Sequence, residues 1–224
     1  IIVENGSQNV TICNDKYTVN TDAGGVLINK GNTSTVTFKG GIYTQVFGGS
    51  AYNNYSTYMI FNRGTVKFYD VTLKTTGNGN NNRDGTIVDN KNGTVNIYAG
   101  TTIDGGAKNI NRPYAVIEGN IYMEGGTITS QSGEYNGIFG NNVKMVGGII
   151  KNCQHAIMGY KSENIVLGSY ATFENNSADI MLHVEQIFTI QDDFKGNASV
   201  FIGEDNPSFP RRITTSGISK SMLG

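Results

Sequence analysis

Charged residues that suit chemistry on an acidic sugar gather in the first half of the chain. Asp84, Asp104 and Glu118 supply carboxylates, and Arg83 and Arg112 supply basic side chains suited to removing the proton α to a uronate carboxyl. General acid–base catalysis needs such groups within hydrogen-bonding reach of the reacting proton, so a polysaccharide lyase is one hypothesis. The acids show no metal-ligand spacing and are of a type that also forms solvated corners. We therefore expect no cofactor and no metal.

Tyrosines in the same half indicate binding by ring stacking instead. A sugar packs its apolar face on a flat ring whose hydroxyl stays in water. The alternative is that these rings only cover the outside of the fold. The binding hypothesis places a ligand site at Tyr52, Tyr55, Tyr58, Arg83, Asp84, Asp104, Arg112 and Tyr114.

A repeated pattern must position these residues. It consists of triplets whose first and third residues are apolar. In a strand with one buried face, these two side chains point inward and the middle one points outward. They start at Val10, Val36, Val66, Val95, Ile121, Val143, Ile165 and Ile187, with Phe188 an equally good start for the last. The intervals are 26, 30, 29, 26, 22, 22 and 22 residues.

Two further signals recur between the triplets. Glycine pairs at 40–41, 105–106, 125–126 and 147–148 mark a corner that leads into a second strand. A third apolar segment then ends at Asn29, Asn62, Asp89, Glu118, Gly140, Gly159 or Leu182. Because one such turn cannot bury its own apolar side chains, stacking of turns is required.

The fold class that follows is all-β: a right-handed parallel β-helix of about eight turns, each with three short strands and at least 22 residues. We expect a single β-helix domain over residues 1–203, followed by a cap or linker over 204–224. The longer early turns carry their extra residues in loops at 45–57, 74–84 and 105–114. Insertions on one face of a solenoid are where such proteins usually bind.

Composition narrows the function classes. The 224 residues carry a formal charge of −1 and show no basic stripe, so nucleic acid is not the expected partner. No apolar run is long enough for membrane insertion. The two cysteines, Cys13 and Cys153, are expected to be reduced and partly buried, because about five turns, or roughly 24 Å, would separate them.

The repeats resemble those of a known group. Gly-Gly-Thr-Ile at 125–128, Gly-Gly-Ile-Ile at 147–150 and Phe-Glu-Asn-Asn at 173–176 are similar to the degenerate repeats of bacterial secreted and surface proteins with pectate-lyase-like right-handed β-helices. That group includes adhesins and autotransporter-like passengers. The resemblance spans about residues 10–200 and implies an extracellular or bacterial cell-surface location.

Two acidic motifs also resemble those of polygalacturonases, namely Asn-Thr-Asp at 20–22 and Asp-Asp at 192–193. Glycoside hydrolysis needs two carboxyls within about 10 Å of each other. Asp22 and Asp193 would lie about seven turns apart, or roughly 34 Å. The Gly-His-Gly and Arg-Ile-Lys motifs of that family are absent, so this pairing does not predict a hydrolase.

The sequence as a whole favours a non-catalytic surface module, adhesin-like or a spacer. Such a module would bind glycans or cell-surface glycoproteins through the stacked loops of its first half, as part of a longer multi-module chain. The alternative is a polysaccharide lyase or glycoside hydrolase acting on an acidic polysaccharide. A stalk that binds nothing is the third hypothesis, and the residues do not choose between binding and stalk.

Overall fold

The computed structural model of the protein describes residues 1–3, 9–14, 18–21, 26–46, 59–76, 88–105, 115–130, 133, 135–159, 164–182, 187–196 and 198–202. Every regular element in these ranges is a β-strand, as the sequence predicts. The strands are β1 (Ile2–Val3), β2 (Asn9–Cys13), β3 (Thr18–Thr21), β4 (Leu27–Asn29), β5 (Thr35–Lys39), β6 (Ile42–Val46), β7 (Ile60–Asn62), β8 (Thr65–Tyr69), β9 (Thr72–Thr76), β10 (Val88–Ile97), β11 (Thr102–Asp104), β12 (Ala115–Met123), β13 (Thr127–Thr129), β14 (Asn136–Lys151), β15 (His155–Gly159), β16 (Asn164–Glu174), β17 (Ala178–Leu182), β18 (Ile187–Ile190) and β19 (Val200–Ile202).

All strand pairings are parallel, and they sort the strands into three stacked columns. The first column holds eight strand segments, β2, β5, β8, the later parts of β10 and β12, the middle of β14, the start of β16, and β18. The second holds β3, β6, β9, β11, β13 and the ends of β14 and β16. The third runs from β1 and β4 to β17 and β19. This is the predicted β-helix with three strands in each turn; its right hand remains a prediction.

The triplets stack in register, like on like. Val36 lies between Val10 and Val66, and Ile121 lies between Val95 and Val143. At the last triplet Ile165 pairs with Phe188, so the strand is read from Phe188 and not from Ile187. The inward side chains of these strands are almost completely buried from β5 to β16, which supplies the continuous core that a single turn lacks.

Glycines or residues with positive φ form the corners before the second column. Gly41, Gly126 and Gly148 have φ of 89°, 83° and 95°, and each directly precedes a second-column strand segment. The prediction for Gly105 was wrong, because Gly105 follows β11 instead of leading into it. In that turn Gly100, with φ 78°, supplies the corner. The sequence misled here because Gly100 has no glycine neighbour.

Three asparagines form a hydrogen-bonded ladder inside the coil at the end of the third column. Asn29, Asn62 and Asn90 are fully buried. Nδ2 of Asn29 donates to Oδ1 of Asn62 over 2.8 Å, and Nδ2 of Asn62 donates to Oδ1 of Asn90 over 2.7 Å. The same row continues as Gly119, Gly140 and Gly159 where the turns shorten. Within the described residues the last strand of the third column is β19, and the predicted cap or linker at 204–224 lies outside them.

Candidate ligand-binding face

The outer side of the first column presents a broad polar and aromatic surface, here named face A. Its residues alternate with the buried ones because side chains along a strand point to opposite sides. Face A comprises Thr35, Thr37, Lys39, Thr65, Lys67, Tyr69, Thr94, Asn96, Tyr98, Asn120, Tyr122, Glu124, Asn142, Lys144, Asn164 and Val166.

Two tyrosines stack on neighbouring turns of face A. The rings of Tyr69 and Tyr98 lie with centroids 4.2 Å apart and planes within 4° of parallel. Each tyrosine directly follows an inward residue, Phe68 or Ile97. The backbone N–H of Tyr98 donates a hydrogen bond of 3.1 Å to the carbonyl oxygen of Phe68, which joins the two turns. Because the two rings cover each other face to face, each leaves one outer face, and these two faces point away from each other. Both rings are half-buried, and either outer face suits the apolar face of a sugar ring.

The hydroxyl of Tyr98 stays protonated far into the alkaline range. A hydrogen bond with Tyr69, then burial, then the charges of Tyr69 and Glu124 raise the pKa of Tyr98 to about 12. Because phenolate formation is disfavoured, Tyr98 keeps an O–H group at every physiological pH.

A shallow groove of about 360 Å³ runs along another part of face A. Tyr122 and Lys144 line it on one side, and Asn120, Asn142 and Asn164 on the other. These residues occupy two outward rows, in which each member is stacked on the member of the next turn. Ile97, directly before Tyr98, pairs with Met123, directly after Tyr122, so the groove lies beside the stacked tyrosines.

Contacts within the groove order its polar side chains. Nδ2 of Asn142 donates to Oδ1 of Asn120 over 3.0 Å. The ammonium of Lys144 lies 5.9 Å from the ring centroid of Tyr122, and the Tyr122 hydroxyl donates to the Glu124 carboxylate over 3.5 Å. The groove therefore combines amide donors and acceptors, one cation and one aromatic ring, all open to solvent on one side.

The residues predicted from the sequence lie elsewhere or beyond the described part of the chain. Tyr52, Tyr55, Tyr58, Arg83, Asp84, Arg112 and Tyr114 lie outside the described residues. Asp104 is half-buried at the end of β11 in the second column, next to Lys74 and Thr129. Glu118 lies in the third column, so the solenoid puts these two acids on different faces.

Face A was missed in the sequence although its signal is present there. Lys67, Tyr122 and Lys144 are the middle residues of their triplets, and Tyr69 and Tyr98 directly follow a triplet. Alternation alone places all five outward. They lie in the most regular part of each turn, whereas long loops are where solenoid proteins usually bind.

The other reactive side chains are spread out. Cys153 is buried, and burial raises the pKa of its thiol to about 12. Cys13 is exposed, which corrects the expectation that it is partly buried. A hydrogen bond of 2.8 Å joins Nδ1 of His155 to Oδ1 of Asn136. Among the described residues no three His, Cys, Asp or Glu side chains are grouped as metal ligands.

The described part of the chain contains no helix long and apolar enough to span a membrane. Comparison with known proteins found no matching family model, no matching curated protein and no matching solved structure.

Proposed function

We propose that this protein is a non-catalytic binding module that holds glycans, free or on glycoproteins, against face A. The observation that carries the proposal is the stacked pair of Tyr69 and Tyr98 beside an amide-lined groove. Flat rings give large contact area at little cost in conformational entropy, and amides match the hydroxyls of a sugar. The rigid columns hold both groups in place before a ligand arrives, which lowers the cost of binding.

We also propose a location and a biological role for this module. The Gly-Gly-x-Ile repeats, similar to those of pectate-lyase-like surface proteins, support a bacterial cell-surface or secreted location and an adhesin-like role within a longer chain. The loop residues predicted from the sequence, such as Tyr52 and Tyr55, follow a second-column strand in the chain and stay a separate proposed site.

A glycan array probed with the purified chain tests this function. We expect selective binding that Tyr98→Ala weakens by about tenfold, because a stacked aromatic contributes roughly 0.5–1.5 kcal/mol beyond its buried area. Phe61→Ala is the matched control, since Phe61 is a half-buried aromatic of the third column, packed near Arg63. Binding lost in Tyr52→Ala but kept in Tyr98→Ala would move the site to the loops.

A parallel assay for catalysis separates the competing hypotheses. Pectin, alginate and glycosaminoglycans are incubated with the chain, and unsaturated or reducing sugar is measured. Product formation would overturn the non-catalytic proposal and favour a lyase or hydrolase at Asp84, Asp104 and Arg112. The absence of both binding and product would leave the stalk hypothesis.

A further inference from the structure

The outer side of the second column carries a charged row with a regular order of signs. We name this surface face B; its charged row consists of Lys74, Asp104, Thr129, Lys151 and Glu174, one residue from each of five successive turns. The signs along the row are plus, minus, neutral, plus and minus. All five side chains are half-buried or exposed. Thr44, the preceding member of the row, is buried, so the accessible row begins at Lys74.

This row is complementary to itself when it is reversed. If a second copy lies against face B with its turns in the opposite order, Lys74 meets Glu174 and Asp104 meets Lys151. Thr129 then meets Thr129 on the two-fold axis. A two-fold interface requires such self-complementarity, since each residue i that contacts j must also find j contacting i.

The charges also select one register. A shift of one copy by one turn would place Lys74 against Lys151, and a shift in the other direction would place Asp104 against Glu174. Both shifted arrangements bring like charges together, and like charges at an interface exclude wrong pairings. Only the register centred on Thr129 pairs opposite charges throughout the row.

The neighbouring rows fit the same contact. Beside the charged row runs a flat row of small or β-branched residues, Thr72, Thr102, Thr127, Ile149 and Thr172. Ile42, at 41% exposure, extends this row, and Tyr170, at 71% exposure, lies two residues before Thr172. These are the exposed large apolar side chains of the described residues outside the first two positions of the chain.

We infer that face B is a homodimer interface, in which two copies of this chain pack antiparallel about a two-fold axis through Thr129. The charged row spans four strand spacings, about 19 Å, so the interface is small and the dimer weak. Its affinity depends on salt, because the screening length falls from about 10 Å at 0.1 M salt to about 3 Å at 1 M.

Analytical ultracentrifugation over a concentration series at low and high salt tests the dimer. We expect a monomer–dimer equilibrium that shifts to monomer in 1 M salt. The double variant Lys74→Glu/Lys151→Glu makes the row wholly acidic, and Asp104→Lys/Glu174→Lys makes it wholly basic. Each is expected to be monomeric alone, and an equimolar mixture is expected to form a heterodimer. Restored association shows that both variants are folded.

Spin labels test the orientation. Labels are placed at Thr129→Cys or at Ile42→Cys in a Cys13→Ser background, and the distance between copies is measured by pulsed electron paramagnetic resonance. The antiparallel dimer puts the labels at 129 close together and those at 42 about six spacings, or roughly 29 Å, apart along the rods. A monomer at every concentration, a dimer that both charge variants leave unchanged, or close labels at 42 would each overturn the inference.

Discussion

The side-chain amide of Asn62 donates a 2.7 Å hydrogen bond to Oδ1 of Asn90, one turn further along the solenoid, in a site that no solvent reaches. The same Nδ2 donates to the carbonyl of Gly64 over 2.9 Å. Oδ1 of Asn62 in turn accepts from Nδ2 of Asn29 and from the backbone N–H of Gly64. Asn62 therefore satisfies buried polar groups of three successive turns.

We predict that Asn62→Ala lowers the free energy of unfolding by about 3 kcal/mol or more. Each buried polar group that loses its partner costs about 1–3 kcal/mol, and this substitution leaves several. The measurement is denaturant unfolding followed by circular dichroism. Asn142→Ala is the control. The hydrogen bond of Asn142 to Asn120 is exposed to solvent, so its loss should change the free energy of unfolding by no more than about 0.5 kcal/mol. Equal effects of the two variants would contradict a stabilising inner ladder.

A second prediction concerns the glycine that follows the ladder. Gly119 has φ 106°, and a Cβ there would lie 2.3 Å from the carbonyl oxygen of Asn90. Gly119→Ala must therefore strain the backbone and displace a neighbouring strand, and we expect a loss of more than about 1 kcal/mol. Gly133 provides the comparison, because its φ is 66° but a Cβ would meet nothing closer than 4.0 Å. Thermal unfolding should rank Gly133→Ala as the milder change, and the reverse order would disprove the role of close packing.

A third prediction separates the two thiols. Native protein should react rapidly with one equivalent of a thiol reagent at Cys13, and with a second only after denaturation, because Cys153 is buried with its Sγ 3.2 Å from the Lys151 carbonyl oxygen. Cys13→Ser should abolish the rapid phase. A rapid phase that persists in this variant would show that Cys153 is accessible.

The raised pKa of Cys153 also gives stability a pH dependence of known sign. Burial favours the neutral thiol in the folded state, so its contribution is fully present below the ordinary thiol pKa and is lost as pH rises through about 12. Unfolding measured from pH 8 to 12 should show a steeper alkaline loss for the native chain than for Cys153→Ala. Parallel curves would contradict this account.

A fifth prediction tests the tyrosine pair. The Tyr98 pKa is raised to about 12, and burial also raises the pKa of Tyr43, so both phenols should titrate above the ordinary tyrosine value when absorbance is followed between pH 9 and 13. Tyr69→Phe removes the hydrogen bond that raises the Tyr98 pKa most, so the difference between the titration curves of this variant and of the native chain should show one late phenol moved to lower pH. Phe61→Ala should show no such difference. The absence of a shifted phenol in Tyr69→Phe would argue against the contact.

The architecture could be predicted from the sequence because buried apolar residues recur at the same place in each turn. Val36, Val66 and Val95 occupy one inner row, and the same requirement for a small β-branched side chain at each turn makes the row visible as a period. The corner at Gly100 was missed because positive φ requires only a single suitable residue, and a second glycine beside it is not required. Local pattern gives the strands, while backbone conformation at each corner depends on its neighbours.

The functional faces were harder to predict. Turn lengths of 22–30 residues separate the members of each outer row, so the neighbourhood of Lys74, Asp104 and Lys151 emerges only once the register is known. Outer residues also lack the constraint of the core, so nothing in the sequence alone marks Tyr69 and Tyr98 as a stacked pair. Their contact follows from two strands brought side by side.

The equal spacing of Ile121, Val143 and Ile165 has a consequence for how this molecule can change its length. Removal of residues 143–164 would set Ile165 directly upon Ile121 and Leu167 upon Met123, so that apolar residues still stack on apolar residues. The length of the solenoid can therefore change by whole turns of about 4.8 Å each, through deletion or duplication of a repeat. Genetic gain or loss of one 22-residue unit would alter reach while preserving the cross-section.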